Sequence, residues 1–286
     1  MAASADPPAA SPWVTFLSDY GLDDSCVGVC HGVLARRAPS VRILDICHLV
    51  TPQDVEYGAT MLAGAVPYLP VAVHLALVDP PASSKRARGV AVRTGDGATF
   101  LAPDNGLTSR AWAAAGGVRA AHELANRELW LASPSRTFRG RDIFVPVAAH
   151  LATGGALTDV GPAVDPATLV RLPERRSHVH GDHVHGEVVA IDHFGNLALN
   201  VVRGDLEAVG IALGDRVEVR MAGRTMEIPF TVTFAEVEPG RASVCEDSYR
   251  RIMIAVNLGH AGSRLRAARG DALVLGRVTR SRAAAG

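Results

Sequence analysis

The chain has 286 residues, 48% of them hydrophobic and 20% charged, a balance that suits folded globular domains and excludes disordered or fibrous chains. Lys and Arg number 29 and so do Asp and Glu, so no net field draws a polyanion and nucleic acid is excluded as an expected partner. No apolar run approaches the ~20 residues of a membrane span, and "MAASADPPAASPW" lacks the basic start and hydrophobic stretch of a signal peptide; the expected location is the cytoplasm, with residues 1–12 as a flexible arm.

A length of this order suggests two domains. The first half alternates two textures: strand-like "WVTFLSDY", helix-like "SCVGVCHGVLARRA", strand-like "VRILDICHLV", helix-like "DVEYGATMLAGAVPYL", then strand-like "VAVHLALVD" and "GVAVRT". Strands and helices taking turns imply a mainly parallel sheet with crossover helices, an α/β domain. "TFLAPDNGLTSRAWAAAGG" follows as strand, turn and helix, with Asn105-Gly106 as the turn signal, and "RDIFVPVAAHLATGG" reads as a further helix closed by its glycines. Beyond a Pro-, Arg- and His-rich passage ending at Gly186, the runs "EVVAIDHFGNLALNVV", "RVEVRM", "RTMEIPFTVTFAEV", "RIMIAVNLG" and "DALVLGRV" are short and β-rich, as in a small barrel. The expected division is an α/β domain over 13–172, a linker over 173–184 and a smaller β-barrel-like domain over 185–286.

In open α/β sheets ligands sit beyond the carboxyl ends of the strands, and three strands finish near acids: Asp19, Asp45 and Asp79. Asp19 has an equally ordinary reading as the cap of the helix starting near Asp24. Four cysteines, Cys26, Cys30, Cys47 and Cys245, lack the spacing of a zinc site and read as free thiols in a reducing compartment, so no metal is expected. His178, His180, His183 and His185 alternate as ligands could, but no acid or cysteine completes them and they read as a solvated linker. "DHFGN" is by itself an ordinary turn, and Asp79 with Arg86 by itself an ordinary surface ion pair. Lys85 is the only lysine, so one arginine among many says little about function. No G-x-G-x-x-G follows the first strand and no G-x-S-x-G occurs, which removes dinucleotide binding and serine-hydrolase chemistry.

Seven segments, "TFLSDYGLDDSCVGVCHGVL", "ILDICHLVTPQDVEYGA", "LVDPPASSKR", "LAPDNGL", "TFRGRDIFVPVAAHLA", "AIDHFGNLALN" and "IAVNLG", resemble in order and over nearly the whole chain the S-adenosylmethionine hydroxide adenosyltransferases, adenosine-forming hydrolases related to the fluorinase and chlorinase. The resemblance implies an α/β domain followed by a β-rich domain, a homotrimer with sites at subunit interfaces, and S-adenosylmethionine as substrate without a separate cofactor. It implies that Asp19 grips the ribose hydroxyls, that Asp192 takes the methionine ammonium and Asn196 the adenine edge, that Ser248 meets the methionine carboxylate, and that the backbone at Leu258 meets the base. Asp79 and Arg86 match two members of the Asp, Arg and His set that handles the attacking water. The third differs: Arg139 stands where the family has histidine, and arginine stays protonated and cannot act as a base. Pro81, Ala82 and Ser83 also replace the family's Gly-Val-Gly. Two alternatives accompany the hydrolase: a nucleoside-binding protein with little catalysis, motivated by these departures, and a halogenase, against which Gly140 stands in place of the fluorinase serine.

Overall fold

Residues 13–79 and 87–278 are described by a computed structural model. The chain divides into two compact units, the first ending at Pro173 and the second beginning at Glu174. Among the described residues, no helix is long and apolar enough to cross a membrane.

The first unit begins with β1 (Trp13–Ser18), which is buried from Val14 onward as an inner strand covered on both faces must be. Helix α1 (Cys26–Arg37) follows; Val27, Cys30 and Leu34 form its buried stripe, while Arg36 and Arg37 face the negative end of its dipole. Strand β2 (Arg42–Cys47) leads to α2 (Val55–Ala65), whose N-cap Asp54 accepts from the Tyr57 N–H at 2.9 Å. The helix tightens into a 3₁₀ turn at Val66–Tyr68, where Pro67 removes a donor. Then come β3 (Val73–Leu77), β4 (Gly89–Thr94), β5 (Thr99–Pro103), the short helix α3 (Ala111–Ala114) and β6 (Val118–Glu123). Gly116 and Gly117, both in the left-handed region, stop α3 after one turn.

The strand order is β2-β1-β3-β5-β4-β6. Pairings β1–β2, β1–β3 and β3–β5 are parallel, whereas β4 pairs antiparallel with both β5 and β6. The sheet is therefore mixed: the alternation of strand and helix holds as far as β3, and hairpin-type pairing takes over at the β4 side. The expected helix after Phe138 starts as a π-turn over Gly140–Phe144 and becomes α4 (Val145–Ala152), which packs its apolar side chains against the sheet. A π-turn needs a local reason, and π-bulges concentrate at functional sites.

In the second unit β7 (His178–His180), β8 (His183–Ile191), β9 (Leu197–Val202), α5 (Arg203–Ala208), β10 (Arg216–Met221), β11 (Arg224–Pro229), β12 (Ala242–Glu246), β13 (Arg251–Val256), α6 (Ala261–Leu265) and β14 (Ala272–Arg277) build one antiparallel sheet in the order β11-β10-β14-β8-β9-β13-β12. A bridge between Phe230 and Val244 brings its two edges together, leaving a nearly closed barrel. Alternation drives it: in β10, Val217, Val219 and Met221 face the core while Arg216 and Arg220 face water. The histidine passage read as a solvated linker is instead a hairpin, β7 pairing with β8 so that His178 opposes His185 and His180 opposes His183.

Candidate active site

The order β2-β1-β3 means that the chain leaves β1 to one side and returns on the other. The carboxyl ends of β1 and β3 thus flank a topological switch point, where open α/β sheets leave a crevice for ligands. Asp19 follows β1 and Asp79 follows β3 by two residues. The Asp19 N–H donates to the Leu77 carbonyl at 3.3 Å, which ties the two strand ends together.

Asp19 does not cap α1. The N-cap is Ser25, preceded by Asp24, whose Oδ1 accepts from the Cys26 N–H at 2.7 Å, while Asp19 Oδ2 accepts from the Gln53 N–H at 2.9 Å. Burial raises the Asp19 carboxyl above its ordinary range; the Gln53 N–H pulls the other way, and the charge of Asp79 adds to the rise. Two carboxylates at one strand-end crevice, one of them partly stripped of water, favour a cationic ligand. Tyr20 lies beside them: burial pushes its phenol well above its usual value, and the charges of Cys30, Asp79 and Asp19 push the same way.

Two residues to which the sequence analysis gave no site role hold this crevice. Asn105 Nδ2 donates to the Val78 carbonyl at 2.9 Å and its Oδ1 accepts from the Leu107 N–H at 3.1 Å, so the turn with Gly106 pins the end of β3. Gln53, at φ 67°, presents its N–H to Asp19 from a left-handed conformation that a glycine would adopt more cheaply. Both contacts join segments far apart in sequence, which a local pattern cannot reveal; a non-glycine turn residue beside a strand-end acid was the only available hint.

Arg139 is half-buried at the start of the π-turn. Its Nη1 donates to the Ala87 carbonyl at 2.9 Å and its guanidinium lies 5.4 Å from the Phe144 ring centroid. It therefore rests against the residue that ends the segment carrying Arg86. Arg86 itself, with Pro81, Ala82 and Ser83, lies outside the described residues. Next to Arg139, Gly140 is packed against Tyr20 and Leu77 so tightly that a Cβ there would overlap the Tyr20 hydroxyl.

In the second unit, Asp192 and Asn196 share the β8–β9 turn. Asp192 Oδ1 accepts from the N–H groups of Phe194 and Asn196, both at 2.9 Å, and Oδ2 accepts from Asn196 Nδ2 at 2.8 Å. Gly195, at φ +84°, closes the turn with the His260 ring where its side chain would be. The strand register sets the remaining two residues apart. Ile254 pairs with Leu197 and Arg251 with Val202, so Leu258, beyond the end of β13, lies at the same end of the sheet as Asp192 and Asn196; Ser248, in the β12–β13 turn, lies at the other end. Leu258 is 87% exposed with φ 51°, and Phe194 is 73% exposed. The structure thus brings Asp19 together with Asp79, and Asp192 together with Asn196 and Leu258, and separates Ser248 from the latter group by the length of one strand.

Two family models cover most of the chain: the SAM hydroxide adenosyltransferase N-terminal domain matches residues 14–161 and the corresponding C-terminal domain matches residues 186–274. An (R)-S-adenosyl-L-methionine hydrolase of Salinispora tropica is 49% identical, across 93% of this chain and 98% of its own. A fluorinase of an Actinoplanes species is 32% identical over 80% of this chain and 85% of its own. A crystal structure of a conserved protein from Thermotoga maritima superposes with a TM-score of 0.84 at 34% identity, covering 92% of this chain and all of that one. With both domain models matched in order over most of its length, the chain belongs to the SAM hydroxide adenosyltransferase family.

Proposed function

We propose that this protein hydrolyses S-adenosylmethionine to adenosine and methionine by in-line attack of water on the ribose C5′. The observation that carries the reading is the pairing of Asp19 and Asp79 at the carboxyl ends of adjacent parallel strands. A sulfonium cation relieves the repulsion between two such carboxylates, and a neutral nucleoside product does not. Binding energy is thus weighted toward the charged reactant. The relative from Salinispora tropica is named for the R form of the substrate, and the same preference is extended to this chain.

In this reading Asp19 accepts from the ribose 2′ and 3′ hydroxyls, as a carboxylate with two acceptor oxygens can. Asp79 orients the attacking water and receives its proton, with Arg86 and Arg139 supplying positive charge that favours hydroxide. Arg139 cannot take the proton that the family histidine would, so the base work falls to Asp79. Asp192 meets the methionine ammonium, Asn196 the adenine edge, Ser248 the methionine carboxylate and the Leu258 backbone the base. Asp192 and Asn196 already bond to each other and to their own turn, so the substrate has to share or exchange these contacts. Three copies complete the sites at their interfaces, the reaction requires no cofactor beyond its substrate, and it runs in the cytoplasm.

The chloride alternative is disfavoured by Gly140, because a halide-binding serine there would collide with the Tyr20 hydroxyl. Incubation with each sulfonium epimer followed by chromatography distinguishes the readings: equal amounts of adenosine and methionine, from the R form, are expected. Binding of S-adenosylmethionine without turnover would identify a nucleoside-binding protein, and a chlorinated nucleoside a halogenase. Arg139→His is expected to raise turnover by restoring a titratable group; a fall would assign the arginine an indispensable electrostatic role. Light scattering tests the trimer by its mass.

A further inference from the structure

One cluster of titratable groups takes no part in the reaction above. Strands β1 and β2 slip register between Phe16, opposite Asp45, and Leu17, opposite Cys47, so that Ile46 is accommodated as an extra residue. Such a bulge re-aims the side chains around it. Here it turns Asp45 and His48 toward His31 on α1. His31 Nε2 lies 3.0 Å and His48 Nε2 3.1 Å from the same oxygen, Asp45 Oδ1, and all three atoms lie within 4.8 Å of one another.

Hydrogen bonding accounts for one of these approaches and not the other. His31 Nε2 bonds to Asp45 Oδ1. His48 is 4% exposed, and its Nε2 has no hydrogen-bond partner, although the carboxylate oxygen is close. A buried polar nitrogen left in that state is costly unless something fills the gap. Its other nitrogen, Nδ1, is held at 2.7 Å by Ser18 Oγ. With Nδ1 carrying the proton toward Ser18, the buried Nε2 keeps a lone pair that no donor among the described residues satisfies, as a ligand nitrogen would. Ligating histidines are commonly fixed in this way by a bond from the second ring nitrogen.

We propose that His31, Asp45 and His48 form a Zn²⁺ site with a solvent-facing fourth position. Two imidazole nitrogens and one carboxylate oxygen are a recurrent three-ligand zinc set. Zinc bonds of about 2.0–2.2 Å in tetrahedral geometry set neighbouring donor atoms about 3.3 Å apart, within a few tenths of an ångström of the two distances observed. The His31 and Asp45 side chains are 34% and 39% exposed, which gives the ion an entry path and leaves room for a water. The site rests on none of the residues assigned to the reaction. It adjoins them through the bond from the Gly21 N–H to the His48 carbonyl at 2.8 Å.

The test uses the full chain, stripped with a chelator, titrated with ZnCl₂ by calorimetry and then dialysed for metal analysis. One Zn²⁺ per chain is expected, with a rise in the thermal midpoint. His31→Ala, at a half-exposed position, is expected to keep its circular dichroism spectrum and lose at least about 100-fold in affinity; Ser18→Ala is expected to lose about 10- to 100-fold. His185→Ala, on the β7–β8 hairpin, should bind as the parent does. In the parent protein, nitrogen-15 spectra of the imidazoles should show zinc-dependent shifts at His31 and His48, a readout that needs no variant. Absence of zinc binding by the parent chain, undiminished affinity in His31→Ala, or loss of binding in His185→Ala would each overturn the assignment.

Discussion

The two units of this chain treat polar groups in opposite ways. Among the described residues, the buried polar side chains, from Thr15 and Ser18 on β1 to Asp142 in the π-turn, all belong to the first unit except Ser243. The barrel interior is otherwise apolar, with Val184, Leu199, Val217 and Leu275 among its members. The candidate site residues follow the same division. Asp19 sits where burial and a neighbouring acid work against its charge, whereas Asp192 is surrounded by N–H donors from its own turn. One carboxylate is held ready for an external partner; the other is already bonded and stabilises the loop that carries it.

Substituting the two acids separately is the sharpest way to probe that contrast, and the largest effect is expected at Asp19. Asp19→Ala removes an acceptor for two hydroxyls, each charge-assisted bond contributing about 1.5–3 kcal/mol, so affinity for S-adenosylmethionine should fall at least about 100-fold while folding stability holds or rises slightly. Unchanged affinity in calorimetry would remove the ribose assignment. The same carboxyl gives a pH signature: because its affinity for protons is raised in the folded protein, substrate binding should weaken on acidification at a pH above the ordinary carboxylate range.

Next in size is an acid sensitivity centred on the first unit. His74 is buried against Thr15, with Nδ1 2.8 Å from Thr15 Oγ1, and burial pushes its imidazole down from 6.5 to about 4, the charge of Asp96 opposing only in part. The unfolded chain therefore binds the proton more readily between those values, so stability is full above about pH 6.5 and is lost as pH falls toward 4. The loss amounts to about 3 kcal/mol. Hydrogen exchange read by mass spectrometry at pH 7 and 4.5 should show β1, β3 and β5 losing protection before the barrel strands do, and His74→Asn should flatten that dependence. Equal loss in both units would contradict the contrast.

Gly140→Ala tests the tight packing on the same side of the molecule. Its methyl would meet the Tyr20 hydroxyl, and overpacking of this kind costs about 1–3 kcal/mol. Urea denaturation should register that cost, and Tyr20→Phe, which removes the obstructing oxygen, should recover part of it. The smallest effect is expected at Asp192→Ala, which deprives exposed turn N–H groups of an acceptor and should lower stability by about 1 kcal/mol. A barrel that is unaffected by this change would mean that the turn holds its shape through Gly195 and the His260 packing alone.

How much of this was legible in the sequence follows from where the information lies. The α/β and β-rich halves, the strand ending at Asp19 and the turn at Asn105-Gly106 rest on local periodicity and punctuation, and the structure has them. Strand β6 lies at the sheet edge with the sequence "VRAAHE", whose alanines and charges carry no alternation, so only its pairing with β4 defines it. The histidine hairpin was missed because β7 is a three-residue, wholly exposed edge strand that has no apolar pattern to mark it. Within the site, Asp19 and Asp79 follow from the strand-end rule, while the bonds from Gln53 and Asn105 depend on long-range placement. His31, Asp45 and His48 carry no motif spacing, because they sit on α1 and at and beyond the end of β2 and meet only in the folded chain.

The central claim is that water attacks C5′ of a bound S-adenosylmethionine, and it is tested most directly by running the reaction in oxygen-18 water and weighing the adenosine. The account predicts one heavy atom at the 5′-oxygen of every adenosine formed; adenosine without the label, or a protein that binds the substrate and releases no adenosine, would contradict it.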